Sequence, residues 1–155
     1  VTTQTRWLTE PEQRAWRGYL AMQAQLTARL NRQLQADSEL SYSDFAVLVA
    51  LTDVPGGRVR IFELARELQW EKSRLSHHLA RMQKRGLVAR EECRSDARGA
   101  FVVLTSAGSE AIEGAAPEHV ETVRRLVFDA LTPAQVEALA AISDRVLERL
   151  AADER

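Results

Sequence analysis

A mainly α-helical fold with one small β-hairpin is predicted by three observations. Apolar residues recur at helical spacing along most of the chain. Helix starts are marked by Thr9-Glu10-Pro11-Glu12, Ser41-Tyr42-Ser43-Asp44 and Thr132-Pro133-Ala134-Gln135. Between residues 64 and 105 a short helix, a tight turn, a basic helix and a charged hairpin follow one another without a gap. That order is the order of a winged helix-turn-helix core, here carried between long flanking helices.

The elements follow in sequence. Thr9 caps the first helix, with Pro11 in its first turn and Glu12 closing a capping box, and the helix is predicted to run to about Gln35. Leu26, Leu30 and Leu34 recur along it, and Trp16, Tyr19 and Met22 add large apolar surface one or two turns earlier. Ser41 caps the second helix, Asp44 favours its N-terminus, and Phe45, Leu48, Val49 and Leu51 form its expected buried side. Pro55-Gly56-Gly57 ends it; residues 59–61 fit a single strand, and residues 62–68 the next helix. The Gln69-Trp70-Glu71 turn leads into the basic helix, whose Leu75, Leu79 and Met82 form one inward stripe. Residues 87–92 and 100–104 read as the two strands of the hairpin, joined by the polar loop 94–99. Residues from Thr105 onward open a helix reaching about Ala130, with irregularity expected at Gly114 and Pro117. In the last helix, Val136, Leu139, Val146 and Leu150 line one side.

Composition bounds the rest. A chain of 155 residues, 45% hydrophobic, is enough for a compact module with helical extensions. One cysteine, Cys93, excludes an intrachain disulfide, and the sequence given holds neither a signal-peptide pattern nor a long apolar run, so a soluble, cytoplasmic protein without membrane contact is expected. The net charge of −1 hides an uneven distribution: residues 58–98 hold 11 Lys and Arg against 6 Asp and Glu, a local +5 within acidic flanks. A local basic surface is what neutralises phosphates and releases counterions, so the balance of the whole chain is the wrong one to consult.

The basic helix carries Ser73, His77, Arg81 and Lys84 on the face opposite its apolar stripe, with Arg74 and Arg85 beside them and Lys72 at its start. Such side chains bond phosphates and base edges where a helix enters the major groove. In the loop that follows, Arg94 and Arg98 are placed to reach a phosphate or the minor groove. The flanking helices are too long to pack wholly against a module of about sixty residues, so a second subunit is expected to cover Leu139, Val146 and Leu150. The division is then residues 1–39 as an N-terminal dimerisation helix, 40–105 as the DNA-binding module and 106–155 as C-terminal dimerisation helices.

These residues resemble the MarR family of bacterial transcription regulators. Asp96-x-Arg98 followed by Leu104-Thr105-x-x-Gly108 is similar to that family's wing and its exit into the next helix. Leu40-Ser41 with Phe45, Val47 and Leu48, then Leu64-Ala65-x-x-Leu68, Ser73-Arg74-Leu75-Ser76-His77 and Arg85-Gly86-Leu87-Val88 resemble its successive helix starts and exits. The resemblance implies a homodimer, built through its first and last helices, that binds a pseudo-palindromic duplex operator. It also implies a repressor released by a small aromatic or phenolic effector. Ser73, Arg74, Ser76, His77 and Arg81 would then face the major groove, Asp96 would orient the wing and Arg98 would grip the minor groove or a phosphate. His77 stands where relatives often carry arginine, and His78 where an apolar residue is common.

The same residues bear on other chemistries. His77 and His78 diverge by about 100° around a helix and do not readily share one ion, so no metal and no cofactor is expected; His78 fits the edge of a core. Cys93 beside Arg90 and Arg94 offers a redox-sensor alternative, against that of a small half-buried strand residue. Trp16, Tyr19, Met22 and Phe45 are the candidate effector pocket, although such residues more often form plain core. An enzyme is not expected, because no phosphate-binding glycine loop, nucleophile motif or paired carboxylates are present. A winged module used only for protein contacts, or a metal- or redox-responsive regulator of the same fold, is the alternative function.

Overall fold

The computed structural model describes residues 4–92 and 99–154. Among the described residues six α-helices and three strands follow in the order α1 (Glu10–Ser38), α2 (Tyr42–Thr52), β1 (Arg58–Arg60), α3 (Ile61–Leu68), α4 (Lys72–Lys84), β2 (Val88–Glu91), β3 (Phe101–Leu104), α5 (Ser106–Leu126) and α6 (Pro133–Asp153). The fold is thus mainly helical with a small antiparallel sheet, as the sequence predicts. The chain divides into two compact units, Val1–Pro117 and Glu118–Arg155.

All three expected helix starts form, each as a capping box, with Asp44 closing one at Ser41 where a cap alone was expected. Thr9, Ser41 and Thr132 each accept from the third helical backbone N–H, and Glu12, Asp44 and Gln135 each accept from the cap's own N–H. Each box satisfies two of the backbone donors that a helix start leaves without partners. α1 runs on to Ser38, past the expected Gln35. α5 passes through Gly114 and Pro117 without a break, and the irregularity falls later, in a 3-10 turn at Phe128–Ala130.

The core of the first unit is apolar and draws on every one of its elements. Leu34, Leu40, Val47, Leu48, Leu51, Leu64, Leu75, Met82 and Val102 are almost wholly buried, with Ile112 and Ala115 from α5 against them. Burying each such leucine stabilises the fold by about 1.5–3 kcal/mol before the entropy of ordering is counted. On α2 the buried side is Val47, Leu48, Ala50 and Leu51. Val49, expected inside, faces out, and Phe45 is only half-buried, because α2 is held on one side alone.

β1 starts one residue earlier than expected and pairs with β3, so the hairpin becomes a three-stranded sheet of order β1-β3-β2. Val59 faces Val102 and Val88 faces Leu104. The sheet is joined to α4 through Gly86, whose φ of 76° lets the helix end in a Schellman turn. In that turn the Leu87 N–H donates to the Met82 carbonyl at 3.1 Å and the Gly86 N–H to the Gln83 carbonyl at 2.9 Å. The Thr105 hydroxyl donates to the Gly86 carbonyl at 2.6 Å and accepts from the Gly108 N–H at 3.0 Å. One side chain therefore ties the exit of α4 to the start of α5.

Candidate nucleic-acid interface

The rotation of α4 about its own axis is fixed by what it buries. Leu75, Leu79 and Met82 lock one stripe into the core, as their spacing predicts. Lys72, Ser73, Arg74, His77, Arg81 and Lys84 consequently stand exposed on the remaining surface, with Ser76 half-buried at its edge. α3 meets α4 through a turn in which Gln69 takes a left-handed conformation and the Trp70 N–H donates back to the Ala65 carbonyl at 2.9 Å.

The arginines of this helix are not equivalent. The Arg74 guanidinium lies 4.2 Å from the centre of the Trp70 ring, a cation–π contact that restrains a long side chain while leaving it at the surface. Arg81 donates through Nη2 to His78 Nδ1 at 3.0 Å. Arg85, grouped with the exposed basic face on sequence grounds, is instead drawn off it. Its Nη1 donates to Asp44 Oδ2 at 2.9 Å and its Nη2 to the Glu39 carbonyl at 2.6 Å.

Asp44 is the centre of this arrangement, and periodicity alone did not single it out. It is 6% exposed, and besides Arg85 it meets His78 Nε2 at 2.8 Å through Oδ1 and the Ser41 N–H at 2.9 Å through Oδ2. Burial alone would raise its pKa. The hydrogen bonds from His78 and Ser41 outweigh burial and hold the carboxyl well below the ordinary aspartate value. His78 is buried at the edge of the core, where its ring also meets Trp70 edge-on at 5.5 Å between centres.

The solvent face of the sheet adds a second basic feature. Arg58 and Arg60 both lie over the Phe101 ring, at 3.5 and 4.4 Å from its centre, and Arg58 also pairs with Glu91 at 2.8 Å. Register explains it, since Arg60 stands opposite Phe101 and Arg58 lies two residues along on the same face. Neither arginine was among the expected contacts; the alternation of Arg58 and Arg60 about the buried Val59 was the available signal. The expected wing residues Arg94, Asp96 and Arg98, and Cys93, lie outside the described residues.

Of the candidate effector residues, Trp16 and Tyr19 stack on one another at 5.8 Å and, like Met22, are exposed on α1, whereas Phe45 packs against the core from α2. An open groove between α1 and α2 is lined by other residues, among them Leu20, Ala24, Thr27, Asn31 and Tyr42. Within the second unit, Leu139, Val146 and Leu150 are exposed on α6, as are Ile142 and Leu147. Among the described residues no three of His, Cys, Asp and Glu gather as metal ligands would, and no single helix is long and apolar enough to cross a membrane.

A short helix, a left-handed turn, a second helix with a basic outer face and an adjoining three-stranded sheet define a winged helix-turn-helix protein. Residues 38–99 match the sequence profile of the MarR family. The fold is similar to that of AbsC, a MarR family transcriptional regulator from Streptomyces coelicolor. The two are 42% identical over 96% of this chain and 99% of that one, with a TM-score of 0.87. It is also similar to Sco3205, a MarR family transcriptional regulator of the same organism solved in complex with DNA. There the identity is 44% over 95% of this chain and 92% of that one, with a TM-score of 0.89. The chain belongs to the MarR family of transcriptional regulators. It is further 38% identical, over 94 residues, to the Escherichia coli transcriptional regulator HosA; that match spans 60% of this chain and 65% of the length of HosA.

Proposed function

We propose that this chain is a sequence-specific DNA-binding regulator that acts as a homodimer on a pseudo-palindromic operator and represses transcription by blocking promoter access. The observation that carries the reading is the outer face of α4. Ser73, Arg74, His77, Arg81 and Lys84 project from one side of a helix whose other side is locked in the core, with Lys72 exposed at its start. A rigid helix with this lining presents hydrogen-bond donors to phosphates and to base edges in the major groove. The DNA complex of Sco3205 supports the same use of the fold here.

Dimerisation follows from the two-fold logic of such readers: two recognition helices about 34 Å apart match successive major grooves on one side of a duplex. The exposed apolar residues of α6 supply surface for a second copy. Arg94 and Arg98 of the wing loop reach the minor groove or a phosphate, and Asp96 orients them. A small aromatic or phenolic effector, seated near Trp16, Tyr19, Met22 and Phe45, shifts the spacing of the two recognition helices and releases the operator. The protein acts in the cytoplasm and performs no catalysis.

Titration of the purified protein against pooled promoter fragments of its own genome, at two salt concentrations with competitor DNA, tests the reading. Selective retention of a palindrome-bearing fragment that falls steeply with salt is expected, because each neutralised phosphate adds about 0.9 to the slope of log affinity against log salt. Absence of binding at low salt sinks it and leaves a winged module for protein contacts.

A further inference from the structure

We propose that His78, buried behind the recognition face, is a positioning residue that sets Arg81 for operator reading. The inference deepens the DNA-binding reading above and rests on it.

Three contacts carry it. A guanidinium has only donors, so Arg81 Nη2 at 3.0 Å requires His78 Nδ1 to be the acceptor. The imidazole proton then sits on Nε2, where it faces Asp44 Oδ1 at 2.8 Å. Asp44 is in turn fixed by the Ser41 N–H and by Arg85, whose other nitrogen holds the Glu39 carbonyl. A chain of close polar contacts therefore runs from the start of α2 through a buried ring to a guanidinium on the outer face of α4. Trp70 packs edge-on against the same ring and carries Arg74 over its own face.

The test compares wild type, His78→Leu and His78→Gln. Fluorescence anisotropy follows binding of the labelled fragment recovered in the promoter titration, with a mixed-sequence duplex as the non-specific probe. Leucine removes the donor and the acceptor, and operator affinity should fall on the order of tenfold with non-specific binding unchanged. Glutamine supplies an amide donor and a carbonyl acceptor and should restore operator affinity. In the DNA-free wild type, 15N spectra of the neutral ring should show the proton on Nε2 and none on Nδ1. Equal operator affinity of all three proteins, or a glutamine variant that binds no better than the leucine one, overturns the positioning role. A neutral ring that carries its proton on Nδ1 overturns the contact. Wild type that binds neither probe overturns the DNA-binding reading and this role with it, and the ring spectrum then reports separately on the contact.

Discussion

Gly108 lies against the Leu87 carbonyl so closely that a Cβ built on it would overlap that oxygen and come within 2.7 Å of Leu104 Cδ1. The first turn of α5 is thereby seated on the start of β2, beside the Thr105 hydroxyl that spans Gly86 and Gly108. In an open helix Gly→Ala stabilises by about 1 kcal/mol. Here the obstacle is backbone, which does not move aside as a flexible side chain does. Gly108→Ala is expected to destabilise by about 1–3 kcal/mol, the cost of overpacking. Urea denaturation reads it, and a midpoint equal to or above wild type would show that the helix shifts freely.

Thr105-x-x-Gly108 was visible in the sequence, whereas the reason for it was not. The helix caps and the apolar stripe of α4 are local patterns, written within a few residues of one another, so they are legible in sequence spacing. Asp44 and Arg85 are 41 positions apart. Nothing local marks their pairing, so Arg85 read as one more cation of the DNA face and Asp44 as a helix-start acid. Val49 was assigned inward by its apolar character alone, yet the chain packs only one side of α2. Likewise β1 was legible as a strand but not as the partner of β3, since register is a tertiary fact.

The Asp44 site predicts acid sensitivity. Its folded-state pKa is lowered, against burial, by hydrogen bonds from His78 and Ser41. A lowered carboxyl pKa stabilises the fold fully above the unfolded value, about 3.9, and that stability is lost as pH falls through the folded value. Wild-type stability should therefore decline below pH 4. Asp44→Asn is expected to cost about 1–3 kcal/mol at neutral pH through weakened buried hydrogen bonds and to show a flatter acid limb. Parallel acid limbs in the two proteins would place the pH dependence elsewhere.

Exposed lysines and braced arginines on α4 should behave differently toward DNA. Lys84 is exposed in the last turn and suits a phosphate. Lys84→Ala should weaken binding to every duplex alike and reduce the salt slope by about 0.9. Arg74, held over Trp70, is restrained as a base-reading side chain is. Arg74→Ala should cost about 1–3 kcal/mol of discrimination at one base position and relax preference there more than it lowers non-specific affinity. Competition binding with single-base operator variants separates the two. Identical loss profiles for both substitutions would remove Arg74 from base reading.

The apolar ridge of α6 gives the prediction on assembly. Leu139, Ile142, Val146, Leu147 and Leu150 are 38–62% exposed in the single chain. Covering such side chains is worth about 1.5–3 kcal/mol each when burial is complete, a driving force large enough that a second copy is the expected cover. Val146→Glu leaves the isolated chain little changed, because the position is already in water, but would place a carboxylate inside a paired ridge without a partner. Sedimentation velocity should find wild type as a dimer and Val146→Glu as a monomer with the same helical content. Operator binding should weaken with it, since one recognition helix alone reads only a half-site. A Val146→Glu protein that sediments as a dimer would move the interface off this face of α6. A wild-type monomer at micromolar concentration would remove the two-fold reading of the operator altogether.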